Sequence, residues 1–181
     1  MLTVGILILL AIAFYSGARR GLVLQATYTL GYFISYIVAR MNYRELGEKL
    51  ELLIPYPSAT QDSQMVFFSQ EQALDLAGAF YAGVAFLLIL GIGWLATRFI
   101  AIFFRELLFV SVAKKLDGLL GGILCAVVVY LGIFFILTIA SYIPIPMIQS
   151  QFESGLARTI VEHTPIFSKQ ILQLWVTDII G

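Results

Sequence analysis

Four long apolar runs, at about residues 2–16, 22–39, 76–97 and 118–143, carry no Asp, Glu, Lys, Arg or His. Each approaches the ~20 residues a helix needs to cross hydrocarbon, so the pattern predicts four transmembrane helices in a small all-α bundle. For the first run the alternative is the core of a signal peptide, but no basic residue precedes it and "AFYSGARRG" offers no small-x-small cleavage site. Between the second and third runs, residues 41–75 form a longer segment with a proline-marked turn, "IPYPSATQDSQ". Before that turn Tyr43, Leu46, Leu50, Leu53 and Ile54 recur at helical spacing, while Arg44, Glu45, Glu48, Lys49 and Glu51 fall mostly on the other face. The spacing predicts an amphipathic helix lying along the membrane interface. After "YIPIPM", the tail 147–181 repeats the pattern: Ile148, Phe152, Leu156 and Ile160 step by four, and Leu172, Trp175 and Ile179 by three or four. Such helices either roof the bundle or lie among headgroups, and amphipathicity alone names no ligand. The whole chain, 1–181, reads as one membrane domain.

Charge sits at the ends of the runs. "GARRGLVLQ" places Arg19 and Arg20 between the first two spans with a glycine on either side, which predicts a tight antiparallel hairpin with the arginines at its tip. With four spans, the two odd-numbered connections face one side and carry Arg19, Arg20, Arg98, Arg105, Lys114 and Lys115 against Glu106 and Asp117. The other side holds Arg40, Arg44, Lys49, Arg158 and Lys169 and the remaining acids. Basic residues in short connections stay cytoplasmic during insertion, so both termini are expected outside.

Composition strengthens the membrane reading and removes other classes. A chain that is 60% hydrophobic and 12% charged has more apolar side chain than a water-soluble domain of this size would bury. Equal totals of 11 basic and 11 acidic residues leave no basic excess for nucleic acid. The single cysteine, Cys125, supplies neither an internal disulfide nor a thiolate metal cluster. No Walker loop or nucleophile elbow is present, and the lone histidine, His163, reads as an exposed loop or helix-end residue. The sequence therefore offers no catalytic, cofactor or metal site, and an enzyme is not expected.

Within the spans, small residues recur every four positions: Gly31, Ser35 and Ala39; Gly78 with Ala82 and Ala79 with Gly83; Gly118, Gly122 and Ala126. Small faces let helix backbones approach closely, within one chain or between copies, and a water-filled pathway is the alternative. At the edges of the spans stand Gln25 and Asp117. Asp117 suits the N-terminus of its own helix as a cap. Topology also puts it on the side of Arg19 and Arg20, where a carboxylate–guanidinium pair would clamp the first hairpin to the fourth helix.

These residues resemble the colicin V production protein family of small bacterial inner-membrane proteins. Gly17, Arg19, Arg20, Gly21 and Gln25 look like that family's G-x-R-x-G-x-x-x-Q hairpin, and Leu116, Asp117 and Gly121 look like its L-D-x-x-x-G start of the last span. The four-span plan agrees, and "TPIFSKQI" is compatible with the family's serine-containing tail. The chain departs in beginning "MLTVGIL" where an acidic residue is common, in having Gly118 where an arginine commonly follows the aspartate, and in carrying Cys125 and Val129 at later small positions. The resemblance implies a cytoplasmic-membrane protein associated with production or export of a peptide toxin. Two roles are open: a non-enzymatic accessory or scaffold, working as a homo-oligomer or with other membrane or export proteins, and an oligomeric channel or small-solute transporter lined by Gln25, Thr27, Thr29, Ser35 and Thr138.

Overall fold

The computed structural model describes residues 2–57, 59, 65–103 and 116–180, and all regular structure among them is helical. Arg105, Glu106, Lys114 and Lys115 of the charge argument, and Ser58 and residues 60–64 of the proline-marked turn, lie outside the described residues. Among the described residues, four helices are long and apolar enough to cross a membrane. They lie within α1 (Leu2–Arg20), α2 (Leu22–Glu51), α3 (Gln70–Ala101) and α4 (Asp117–Ser141). Shorter elements follow: α5 (Pro146–Gln149), a 3-10 turn (Ser150–Phe152), α6 (Leu156–His163), α7 (Phe167–Leu172), a π-helical turn (Gln173–Thr177) and α8 (Asp178–Ile180).

Prolines punctuate this order. Pro55 and Pro57 follow the end of α2, Pro144 follows α4, Pro146 opens α5 and Pro165 separates α6 from α7. None interrupts a long helix, because a proline in a helix interior removes a hydrogen bond and clashes with the preceding turn.

The long helices overrun their apolar cores. α1 continues past Ser16 through both arginines, which become last-turn residues suited to the negative end of the helix dipole. The separate interfacial helix expected after residue 41 does not exist as such, because α2 runs unbroken from Leu22 to Glu51. A change from apolar to amphipathic composition alters what surrounds a helix but breaks no backbone hydrogen bond. α3 likewise begins at Gln70, six residues before its apolar run.

The chain forms two compact units. The first contains Thr3–Arg40 and Leu88–Ile133, and the second Met41–Leu87 and the chain from Phe134 onward, so α2, α3 and α4 each contribute to both. In the first unit, Ile6, Ala13, Leu24 and Cys125 are buried while Val4, Leu7, Ile8 and Ile12 face outward, as lipid permits. The second is centred on Phe86, Phe134, Tyr142, Phe152, Ile160, Ile171 and Trp175, all almost fully buried. The apolar tail residues Phe152, Ile160 and Trp175 therefore pack into protein. Ile148, Leu156 and Ile179 are half-buried and Leu172 is exposed.

Candidate functional site

The α1–α2 turn meets the start of α4 in the first unit. Gly21 ends α1 with φ +80°, a conformation costly for residues bearing a Cβ. Its amide donates to the Gly17 carbonyl at 3.1 Å, and its own carbonyl accepts from the Gln25 amide at 3.2 Å, so one residue closes α1 and opens α2. The Leu22 amide, an orphan donor at the first position of α2, donates to Asp117 Oδ1 at 3.2 Å. Asp117 thus caps a helix that begins 95 residues earlier in the chain. Asp117 stands in the first turn of α4, where a carboxylate suits the dipole, and it accepts a hydrogen bond from α2; the ion pairs of the described residues include none between it and Arg19 or Arg20.

Glycine makes this contact possible. A methyl at Gly21 would collide with Asp117 Oδ2, and one at Gly17 with the Gly121 carbonyl oxygen and Cys125 Cβ. A methyl at Gly121 would lie 2.7 Å from the Gly17 oxygen and 2.8 Å from the Gly21 carbonyl carbon. Gly118 faces the Ala18 carbonyl, and Gly122 faces the ring and carbonyl of Phe14. One face of α4, from Asp117 to Cys125, is thereby seated on the end of α1 and its turn with backbone against backbone.

The arginines turn instead to aromatic rings. Arg19 is exposed, its Cζ 6.0 Å from the Tyr15 ring centroid. Arg20 is half-buried, with Nη1 3.4 Å from Gln25 Oε1 and Cζ 5.4 Å from the Tyr28 centroid. Arg98 of α3 approaches that same ring at 5.3 Å and the Trp94 ring at 5.0 Å, with Nε 3.4 Å from the Tyr32 hydroxyl. Tyr28 and Tyr32 stack with centroids 6.3 Å apart.

The other small positions divide by unit. In the first, a methyl at Gly31 would strike Thr97, and Ser35 occupies the space beside Gly93, so α2 and α3 interlock. Ala126 is half-buried. In the second unit, a methyl at Gly78 would meet Ile179 at 3.0 Å, and one at Gly47 would lie 3.3 Å from the Ala82 nitrogen.

Sequence reasoning missed the polar centre of the second unit. Gln149, buried in α5, donates through Nε2 to the Ser141 and Ile143 carbonyls at 3.0 and 2.8 Å. Its Oε1 accepts from the Val66 amide at 3.1 Å. One side chain thus satisfies carbonyls left over at the end of α4 and an amide of the chain leading to α3. Nothing in "IPMIQSQF" separates Gln149 from its neighbour Gln151 except the register of the step-four pattern, in which it follows Ile148. Tyr56 donates to the Tyr142 carbonyl at 2.7 Å. Burial, with Tyr81 nearby, pushes the Tyr56 hydroxyl up to about 12, so it remains a donor throughout the neutral range. His163 ends α6, exposed, with Nδ1 3.7 Å from Glu162.

The family described as "Colicin V production protein" matches residues 2–165. Across 178 residues, 97% of this chain and 97% of the other, the sequence is 32% identical to "Uncharacterized transmembrane protein YshB" of Bacillus subtilis (strain 168). No solved structure matches. A family match over nearly the whole chain, joined to four helices fit to cross a bilayer, makes this a multi-pass transmembrane protein that belongs to the colicin V production family.

Proposed function

We propose that the protein is a non-enzymatic accessory or scaffold of the bacterial cytoplasmic membrane, supporting production or export of a peptide toxin, with both termini extracytoplasmic. One observation favours a scaffold over a conduit. The hydroxyls that would line a path are bonded within their own helices: Thr27 to Val23, Thr29 to Gln25, Ser35 to Gly31 and Thr138 to Phe134, each donating to the carbonyl one turn back. Gln25, 1% exposed, faces Arg20. Each hydroxyl has thereby committed its one donor, leaving only acceptor lone pairs for a passing solute. The family supplies the toxin connection, and the six basic residues of the odd-numbered connections supply the orientation.

The test measures a colicin V-type peptide inside and outside matched toxin-producing cells that keep or lack the gene. Toxin trapped inside on deletion supports a role at export. A parallel fall in both pools moves the role to synthesis, and unchanged pools overturn the toxin reading. Solute flux through purified protein in liposomes would displace the scaffold in favour of an oligomeric channel. Labelling of cysteines introduced at either end, by a reagent that does not cross the membrane, checks the orientation.

A further inference from the structure

Arg20 ends α1 and Arg98 lies in the last turn of α3, yet both guanidinium groups lie over the ring of Tyr28 on α2. Two like charges gathered at one ring repel each other, and an anion would add to the offset that the ring quadrupole supplies. Among the described residues neither arginine has a carboxylate partner: the basic residues in ion pairs are Arg44, Lys49, Arg158 and His163. Asp117, the acid that meets the α1–α2 turn, is engaged by the Leu22 amide. Each guanidinium has five N–H donors, and here each makes one long bond of 3.4 Å, to Gln25 and to Tyr32. With each Cζ held over an aromatic ring, the remaining N–H groups of both guanidiniums are left available, and planar N–H forks of this kind recognise phosphate.

The surroundings indicate where that phosphate comes from. Tyr28, Tyr32 and Trp94 all meet Arg98, and these are residue types concentrated at headgroup depth. Beside Trp94 and Arg98 on α3, Leu95 and Phe99 are 60% and 64% exposed, an apolar surface that would accept acyl chain directly below a headgroup. We propose that Arg20 and Arg98, spaced by Tyr28, form a binding site for a phosphate group, supplied by the headgroup of an anionic phospholipid. Arg19, exposed over Tyr15, lies outside the site.

The test uses the full chain purified in neutral detergent, with phosphatidylglycerol, phosphatidylcholine and inorganic phosphate as probes. Retention of lipid is read by native mass spectrometry and the unfolding midpoint by a thermal ramp. Phosphatidylglycerol should be retained and should raise the midpoint, while phosphatidylcholine, whose phosphate is already paired, should do neither. Arg20→Gln and Arg98→Gln should each weaken retention on the order of tenfold, the loss expected for a hydrogen bond to a charged group. Arg19→Gln should leave it nearly unchanged. The double Arg→Lys variant keeps charge and guards against misfolding; lacking the planar fork, it should bind several-fold more weakly. Retention equal to wild type in the Gln and Lys variants would overturn the site. A midpoint raised by inorganic phosphate, lost in the Gln variants and not raised further by phosphatidylglycerol, would overturn the lipid as its source.

Discussion

The two units solve the same packing problem by opposite means. In the first, helices approach through the absence of side chains, with Gly17, Gly21 and Gly121 placing backbone against backbone. In the second, bulky rings fill the space: Trp175 packs on Phe86 with centroids 5.3 Å apart, and Phe86 on Phe135 at 5.5 Å. Hydrocarbon gives little reward for burying one more apolar side chain, so close contact and internally satisfied polar groups carry helix association there. A cluster of rings gains from dispersion and edge-to-face geometry wherever it lies, and the short helices around Trp175 need such an anchor.

The two strategies predict different sensitivities. Removing bulk should hurt the second unit most. Trp175→Ala deletes a fully buried indole among Phe86, Phe135 and Tyr142 and should cost about 3 kcal/mol or more, seen as a large fall in unfolding midpoint in detergent. Trp175→Phe should recover more than half of that loss, since the indole N–H has no hydrogen-bond partner among the described residues. Adding bulk should hurt the first unit. Gly121→Ala drives a methyl into the carbonyls of Gly17 and Gly21, which are backbone and yield little, at about 1–3 kcal/mol. Gly91→Ala and Gly132→Ala, whose added methyls meet nothing within 4 Å, should be neutral or slightly stabilising. Equal midpoints for Gly121→Ala and Gly132→Ala would break the comparison.

The second unit has one polar counterpart to these effects. Gln149→Ala leaves the Ser141 and Ile143 carbonyls and the Val66 amide without their partner and should cost about 1–3 kcal/mol. Hydrogen exchange should accelerate at Val66, where the amide bond is lost, and leave Leu22 unchanged.

Legibility from the chain differed between the units for the same physical reason. Long apolar runs and i,i+4 glycines are local patterns, so the four long helices and the small faces of α2 and α4 could be read directly. The helices run past the apolar spans at Ala39 and Leu76 because hydropathy marks where lipid ends, whereas the backbone hydrogen-bond ladder continues through amphipathic sequence. Partners were legible only where topology put Asp117 on the side of the first hairpin, and there the atom it meets was not. That Gly17 meets Gly121, that Ser35 fits beside Gly93, or that Arg98 shares the Tyr28 ring with Arg20 depends on how distant segments dock, which no spacing encodes. The aromatic cluster of the second unit was hidden further, because Phe86, Phe135 and Trp175 come from separate helices with no common period.

Asp117 gives the finest test of how the first unit is held. Its Oδ1 accepts the Leu22 amide, and asparagine keeps an acceptor oxygen at that place while losing the charge. A helix cap depends mainly on the acceptor, since Asn and Asp are about equal at this job. Asp117→Asn should therefore shift stability by no more than about 0.5 kcal/mol, whereas Asp117→Ala, which strands the amide, should cost about 0.5–2 kcal/mol. A guanidinium clamp predicts otherwise, because Asn would lose the ion pair as completely as Ala. Adding salt sharpens the distinction: the Ala–Asn difference should persist at high ionic strength, where an exposed ion pair would be screened. An Asn variant as unstable as the Ala variant would return the arginines to the role of clamp and remove Asp117 as the cap of α2.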